Sequence, residues 1–273
     1  MREGYVEWRA GRTWYAVAGE GDRTPLLCLH GGPGSTHHYF TPLLDLADER
    51  PVILYDQLGC GGSPSPGEID WTLGIFLEEL DALRSVLGLE RVHLLGTSWG
   101  GMLALEHALA RPDSLASLIL SSSLASAAEW AVEVKRLFDA IEIDDEAAAE
   151  RELEARHMYR GDPERAEMRS MRAARGPAVY EAMWGPNEWT VTGALKGWDV
   201  RARLKELHVP TLVVRGGHDL STPRVSRTLV EGIAGAQEVV LDESSHMPVL
   251  EETERYLAVV RGFLQETEAR ASF

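Results

Sequence analysis

Six runs dominated by apolar residues, each of strand length, punctuate this chain at 26–29, 52–55, 92–95, 118–120, 211–214 and 238–241. A strand with one face in water alternates apolar and polar residues, so such runs fit strands buried on both faces. Helical patterns stand between them at 72–87, 101–110, 223–233 and 249–263. Strand and helix in alternation predict an α/β fold around a parallel or mostly parallel sheet with helices on both faces. Two further β-rich segments, 5–8 and 12–17, flank Ala10 and Gly11 and read as a hairpin, bringing the expected sheet to eight strands.

One stretch breaks the alternation. Between 124 and 197 no convincing strand occurs, only helix-forming blocks at 127–141, 145–160 and 163–175, with tryptophans at 130, 184, 189 and 198 close by. It is too long for a loop and reads as a helical cap inserted into the sheet domain. The expected division is therefore a core of 1–123 and 198–273 and a cap of 124–197. An independent domain on a linker would need a Gly/Ser- or Pro-rich hinge, and neither edge carries one.

Composition narrows the function. Forty-three acids against 27 bases give a net charge of -16, which repels a phosphate backbone and argues against nucleic-acid binding. No apolar run approaches the ~18 residues of a membrane span. Residues 1–10 carry charges where a signal peptide needs its apolar centre, so a cytoplasmic location is expected. Cys28 and Cys60 are too few for a disulfide scaffold and are expected as reduced thiols. No histidines have paired metal-ligand spacing, and no cofactor is expected.

The chemistry concentrates at Gly96-Thr97-Ser98-Trp99-Gly100, a G-x-S-x-G between an apolar strand and an apolar helix. A serine there occupies a strained turn that lifts its hydroxyl off the sheet, and the two glycines let strand and helix approach. Ser98 is the candidate nucleophile. A serine needs a base and a group that orients the base. Asp219 follows the run at 211–214 and His246 the run at 238–241, each just past a strand, in the order serine, acid, histidine. His246 should lie within about 3.2 Å of both partners. His218 is the rival base, and Asp242 reads as a strand-end residue. The glycine-rich turn at 30–34 offers the amide of Gly32, and Trp99 a second amide, for a developing oxyanion. His30 reads as a turn-stabilising residue. A phosphate cradle is unsupported there, because no lysine follows in Walker spacing and 35–39 is no obvious helix start.

Four motifs, HGGPG at 30–34, YDQLGCGGS at 55–63, GTSWGG at 96–101 and SSHMP at 244–248, together resemble the proline iminopeptidase family of α/β-hydrolase serine peptidases. The segments WGPNEWT at 184–190 and GWD at 197–199 resemble its tricorn-interacting aminopeptidase branch. The resemblance implies an α/β-hydrolase fold and removal of an N-terminal residue, often proline, from short peptides or amino-acid amides. It also implies that cap and loop glutamates hold the substrate ammonium. Glu188 matches the cap glutamate, and a carboxylate beside Trp189 would be costly to desolvate without a cation. The residue after the triad aspartate, acidic in that branch, is Leu220 here. Trp189 and Tyr180 are expected along the aromatic wall of the pocket. Three readings stay open: an aminopeptidase, an esterase, lactonase or acylamide hydrolase for an uncharged apolar substrate, and a non-catalytic receptor. An intact triad disfavours the receptor, and Leu220 with the aromatic cap favours the esterase side.

Overall fold

In the computed structural model, which describes residues 1–271, all eight expected strands join one sheet in the order β1-β2-β4-β3-β5-β6-β7-β8. β1 (Arg2–Trp8) and β2 (Gly11–Ala18) form the expected hairpin, and β2 runs antiparallel to β4 (Val52–Tyr55). The rest is parallel: β3 (Leu26–Leu29) between β4 and β5 (Val92–Thr97), then β6 (Leu115–Ser121), β7 (Thr211–Gly216) and β8 (Gln237–Leu241).

Neighbouring residues within each central strand belong to different cores. Leu27, Leu29, Ile53, Leu94, Leu118 and Leu120 fall in one, and Leu26, Cys28, Leu54, Leu95 and Ile119 in the other. This period of two explains the apolar runs, because both faces of the sheet are covered. The first core is completed by α1 (Leu73–Leu87), α2 (Trp99–Ala110) and α7 (Pro223–Gly232). The second is completed by a 3-10 helix (His37–Asp48), α8 (Pro248–Glu251) and α9 (Thr253–Ala271). Both cysteines are free and buried.

Three local expectations need correction. The segment after the glycine turn does start a helix, with Thr36 in extended conformation before a 12-residue 3-10 segment that contains Pro42. The helix expected at 249–263 is two, broken at Glu252 (φ -125°, ψ 55°). In the insertion, α3 (Ala127–Asp139) and α4 (Glu146–Leu153) occupy the first two blocks, but the end of the second winds into a π-helix, Glu154–Met158. α5 (Ala166–Ala174) occupies the third, and α6 (Pro177–Met183), started by its proline, was not foreseen. The two ends of the insertion lie side by side through a bridge between Ser126 and Asp199 and backbone bonds from Ala127 to Trp198 and from Val200 to Ala125.

Beneath the loop after β4 lies a buried acid. Glu79 of α1 is fully enclosed, with Oε1 2.5 Å from the Thr13 hydroxyl and Oε2 accepting the amide of Leu58 at 3.1 Å. Burial pushes its pKa up to about 8. Below the ordinary carboxyl pKa both folded and unfolded chains hold this proton. As pH rises toward 8 the unfolded chain releases it first, so the folded state loses stability across that window. Glu79→Gln is expected to raise stability near pH 8 by on the order of 3 to 5 kcal/mol and to change it little near pH 4. Urea unfolding of both proteins at the two pH values checks this, and a pH-independent difference would contradict it.

Candidate active site

The strand order reverses around β3, whose parallel neighbours are β4 on one side and β5 on the other, and ligand crevices of α/β sheets form at the carboxyl ends of strands flanking such a switch. Ser98 stands there, between β5 and α2, with φ 54° and ψ -120°. The turn is possible because of its glycines. A Cβ on Gly96 would lie 2.2 Å from the carbonyl oxygen of Gly100, and one on Gly100 would lie 2.0 Å from that of Leu29. The glycine turn after β3 also packs against the elbow, less tightly, since a Cβ on Gly31 would lie 3.2 Å from that of Ser98. Gly32 (φ 112°) precedes a cis bond to Pro33. Trp99 opens α2, where backbone amides have no intrahelical acceptor.

The loops after β7 and β8 pack backbone to backbone. A Cβ on Gly217 would lie 2.3 Å from the Asp242 carbonyl, and the amide of His218 donates to Ser244 at 2.9 Å. This packing brings Asp219 to His246, whose Nδ1 donates to Oδ1 at 2.7 Å. Ser221 and Gly216 amides also donate to the carboxylate, at 2.8 and 3.2 Å. With the proton on Nδ1, Nε2 carries the lone pair. The His218 side chain is exposed, and the residue takes part through its backbone, its carbonyl accepting from Nδ1 of His157 at 2.7 Å. Asp242 is exposed as well, 3.7 Å from Arg255. Ser98 is half-buried, and among the described residues its hydroxyl makes no hydrogen bond, so the geometry joins histidine to acid and leaves the serine contact unmade.

Glu188 lies in the insertion, where Oε1 accepts the Tyr180 hydroxyl at 2.8 Å. Burial raises its pKa, opposed by the charge of His246 and by the Tyr180 bond, while Glu154 of the π-helix pushes it further up. Among the described residues no arginine or lysine pairs with it. For His246, burial alone would lower the pKa, but the Asp219 carboxylate, with Glu188 and Glu251 behind it, outweighs burial and raises it. Trp189 is half-buried and stacks on Phe138 at 4.1 Å. Leu220 is 1% exposed and packs into the first core, so its lack of charge suits its surroundings.

Trp130 of α3 escaped the sequence reading. Its ring meets that of His246 edge-on at 5.5 Å, and its buried N–H approaches Glu188 without reaching hydrogen-bond geometry. Its place in a tryptophan-rich insertion was the available signal, but nothing in the spacing distinguished it from Trp184 or Trp198. Among the described residues no cluster of potential ligands could hold a metal, and no helix is long and apolar enough to cross a membrane.

A family model described as alpha/beta hydrolase fold matches residues 24–253. A proline iminopeptidase of Lactobacillus acidophilus is 37% identical over 290 residues, covering 97% of this chain and 99% of that one. One from Levilactobacillus brevis is 40% identical over 282 residues, covering 94% of each. The crystal structure of a Mycobacterium smegmatis proline iminopeptidase superposes with a TM-score of 0.92 at 34% identity, covering 99% of this chain and 100% of that one. With likeness of this extent in sequence and in structure, the chain belongs to the proline iminopeptidase family of α/β hydrolases.

Proposed function

We propose that this chain is a serine aminopeptidase that releases an N-terminal proline, or another small apolar residue, from short peptides or amino-acid amides. Ser98 Oγ attacks the carbonyl carbon as His246 Nε2 takes its proton. The amides of Gly32 and Trp99 hold the resulting oxyanion. His246 then hands the proton to the departing amine, leaving an acyl-enzyme that water cleaves by the same route in reverse. Residues 124–197 act as a cap over Ser98, excluding water and folded proteins, with Tyr180, Trp189 and Trp130 as its aromatic wall.

The observation that carries this reading is Glu188. A half-buried carboxylate beside His246, with a tyrosine hydroxyl for partner and no arginine or lysine paired with it among the described residues, is costly to keep charged unless the substrate brings the cation. The ammonium of an N-terminal residue supplies it, one bond removed from the carbon that bears the scissile carbonyl. Glu188→Gln should therefore raise KM for proline or alanine arylamides by about 10- to 150-fold, the worth of a charge-assisted contact of about 1.5 to 3 kcal/mol. Hydrolysis of p-nitrophenyl acetate, which carries no charge, should barely change. Equal effects on both substrates, with esters turned over far faster than any aminoacyl arylamide, would favour the esterase reading, to which the apolar Leu220 already lends support.

A further inference from the structure

The two amides assigned to the oxyanion belong to separate loops, and one side chain ties those loops together. Gln57, in the loop after β4, is fully buried, as is His30, and Trp99 is 1% exposed. The Trp99 indole N–H donates to Gln57 Oε1 at 2.7 Å, and Gln57 Nε2 donates to the backbone carbonyl of His30 at 2.8 Å. The Gln57 amide donates to His30 Nε2 at 2.9 Å, which places the histidine proton on Nδ1, 3.0 Å from the Gly31 carbonyl. Gly31 is held from its other side, its amide donating to the Tyr39 hydroxyl at 2.6 Å.

We propose that Gln57 is the positioning residue of the oxyanion site: by accepting from Trp99 and donating to His30 it sets the spacing between the backbone amides of Trp99 and Gly32. This rests on the reading of Ser98 as nucleophile. The chemistry selects an amide side chain. An indole N–H can only donate and a backbone carbonyl can only accept, so the group between them must present an acceptor to one and a donor to the other. A carboxylate lacks the donor, an apolar side chain lacks both, and asparagine is one methylene short of the span. The position is also shut off from bulk solvent, so an unmade bond there leaves a buried polar group at full cost. An error of an ångström between two donors aimed at one oxygen weakens their hold on the transition state while leaving ground-state binding alone.

The test compares kcat, KM and inhibitor binding in Gln57 variants of the full chain. Q57M keeps the length and loses both hydrogen bonds. It is expected to lower kcat for a proline arylamide by about 10- to 100-fold with KM within about threefold. The boronic acid analogue of proline, whose tetrahedral adduct places an oxygen at the oxyanion position, should weaken by a similar factor. Pyrrolidine, which has the ring and the ammonium but no carbonyl, should bind as before. A residue needed only for folding would lower activity without separating those two ligands, so equal weakening of both, or a raised KM at unchanged kcat, overturns the proposal. Q57E supplies a second measurement. Its protonated form can accept from Trp99 and donate to His30, so its kcat relative to wild type should climb as pH falls, and a ratio that stays low and flat counts against the proposal. Ser98→Ala separates the two levels of argument. If it keeps turnover, the reading of the site fails. If it is inactive while Q57M turns over and binds the boronic acid like wild type, only the role of Gln57 fails.

Discussion

Replacing Ser98 by alanine is expected to lower turnover of a proline arylamide by about 10⁴- to 10⁶-fold and to leave the fold intact. The hydroxyl would form the covalent bond to substrate, and the remaining groups can only bind it and stabilise an oxyanion that no longer forms readily. Nothing structural depends on that hydroxyl, because it makes no hydrogen bond among the described residues and the side chain is half-buried. The strain at φ 54° belongs to any residue with a Cβ, so serine and alanine share it. Glycine does not, and Ser98→Gly should be the more stable inactive variant, by about 1 kcal/mol. Assay of both variants, with thermal unfolding and mass spectrometry after treatment with a fluorophosphonate, checks the three statements together. Labelling of the alanine variant at wild-type rate, or turnover near wild type, would remove Ser98 from the mechanism.

Much of the fold was legible because burial on both faces of a sheet leaves a mark that needs no partner to read. The apolar runs at 26–29 and 52–55 coincide with β3 and β4. The run at 92–95 falls short of β5, since Gly96 and Thr97 are not apolar yet pair with Leu120 and Ser121. Backbone ladders extend past the residues whose side chains announce them. Helical insertions are harder to read. A chain of strong helix formers gives no sign of where the π-helix begins, and that winding depends on bonds across the structure: the Arg160 amide to Glu251, and the His246 amide to the carbonyl of His157.

The candidate site divides the same way. Chain order and position past strand ends point to Ser98, Asp219 and His246 as candidates, because each relation is local to one strand and one loop. Chain order already favours His246 over His218, and the packing of two loops supplies the physical reason: Gly216 and Gly217 admit the backbone of Asp242, Ser244 and Ser245 at distances closed to any Cβ. Trp130 and Gln57 were illegible for a stronger reason. Each matters through contacts with residues far away in the chain: Trp130 with His246 and Glu188, and Gln57 with Trp99 and His30. YDQLGCGGS was visible as a motif, but only the fold shows that its glutamine spans the two loops.

Asp219→Asn should lower kcat by about 10⁴-fold, because it reverses the tautomer on which His246 depends. Both aspartate oxygens are already occupied as acceptors, Oδ2 by the Gly216 amide and Oδ1 by Ser221 and by the ring itself. An asparagine must turn its NH2 toward one set of donors. Turned toward Gly216 it meets another N–H, and turned toward His246 it requires Nδ1 as acceptor, which moves the ring proton to Nε2 and leaves no lone pair for the Ser98 proton. The pH profile separates this from simple misfolding. In the wild type His246 titrates above its ordinary value, burial being outweighed by the carboxylates of Asp219, Glu188 and Glu251. Activity requires the neutral ring, so kcat/KM should rise with pH through that raised pKa. Removing the Asp219 charge leaves burial less opposed, so the residual activity of the variant should begin its rise at lower pH than wild type. Glu188→Gln should shift the limb in the same direction by a smaller amount, since its charge acts without a hydrogen bond to the ring. An acid limb at the same pH in wild type and Asp219→Asn would mean that the base of this reaction is not the histidine that Asp219 holds.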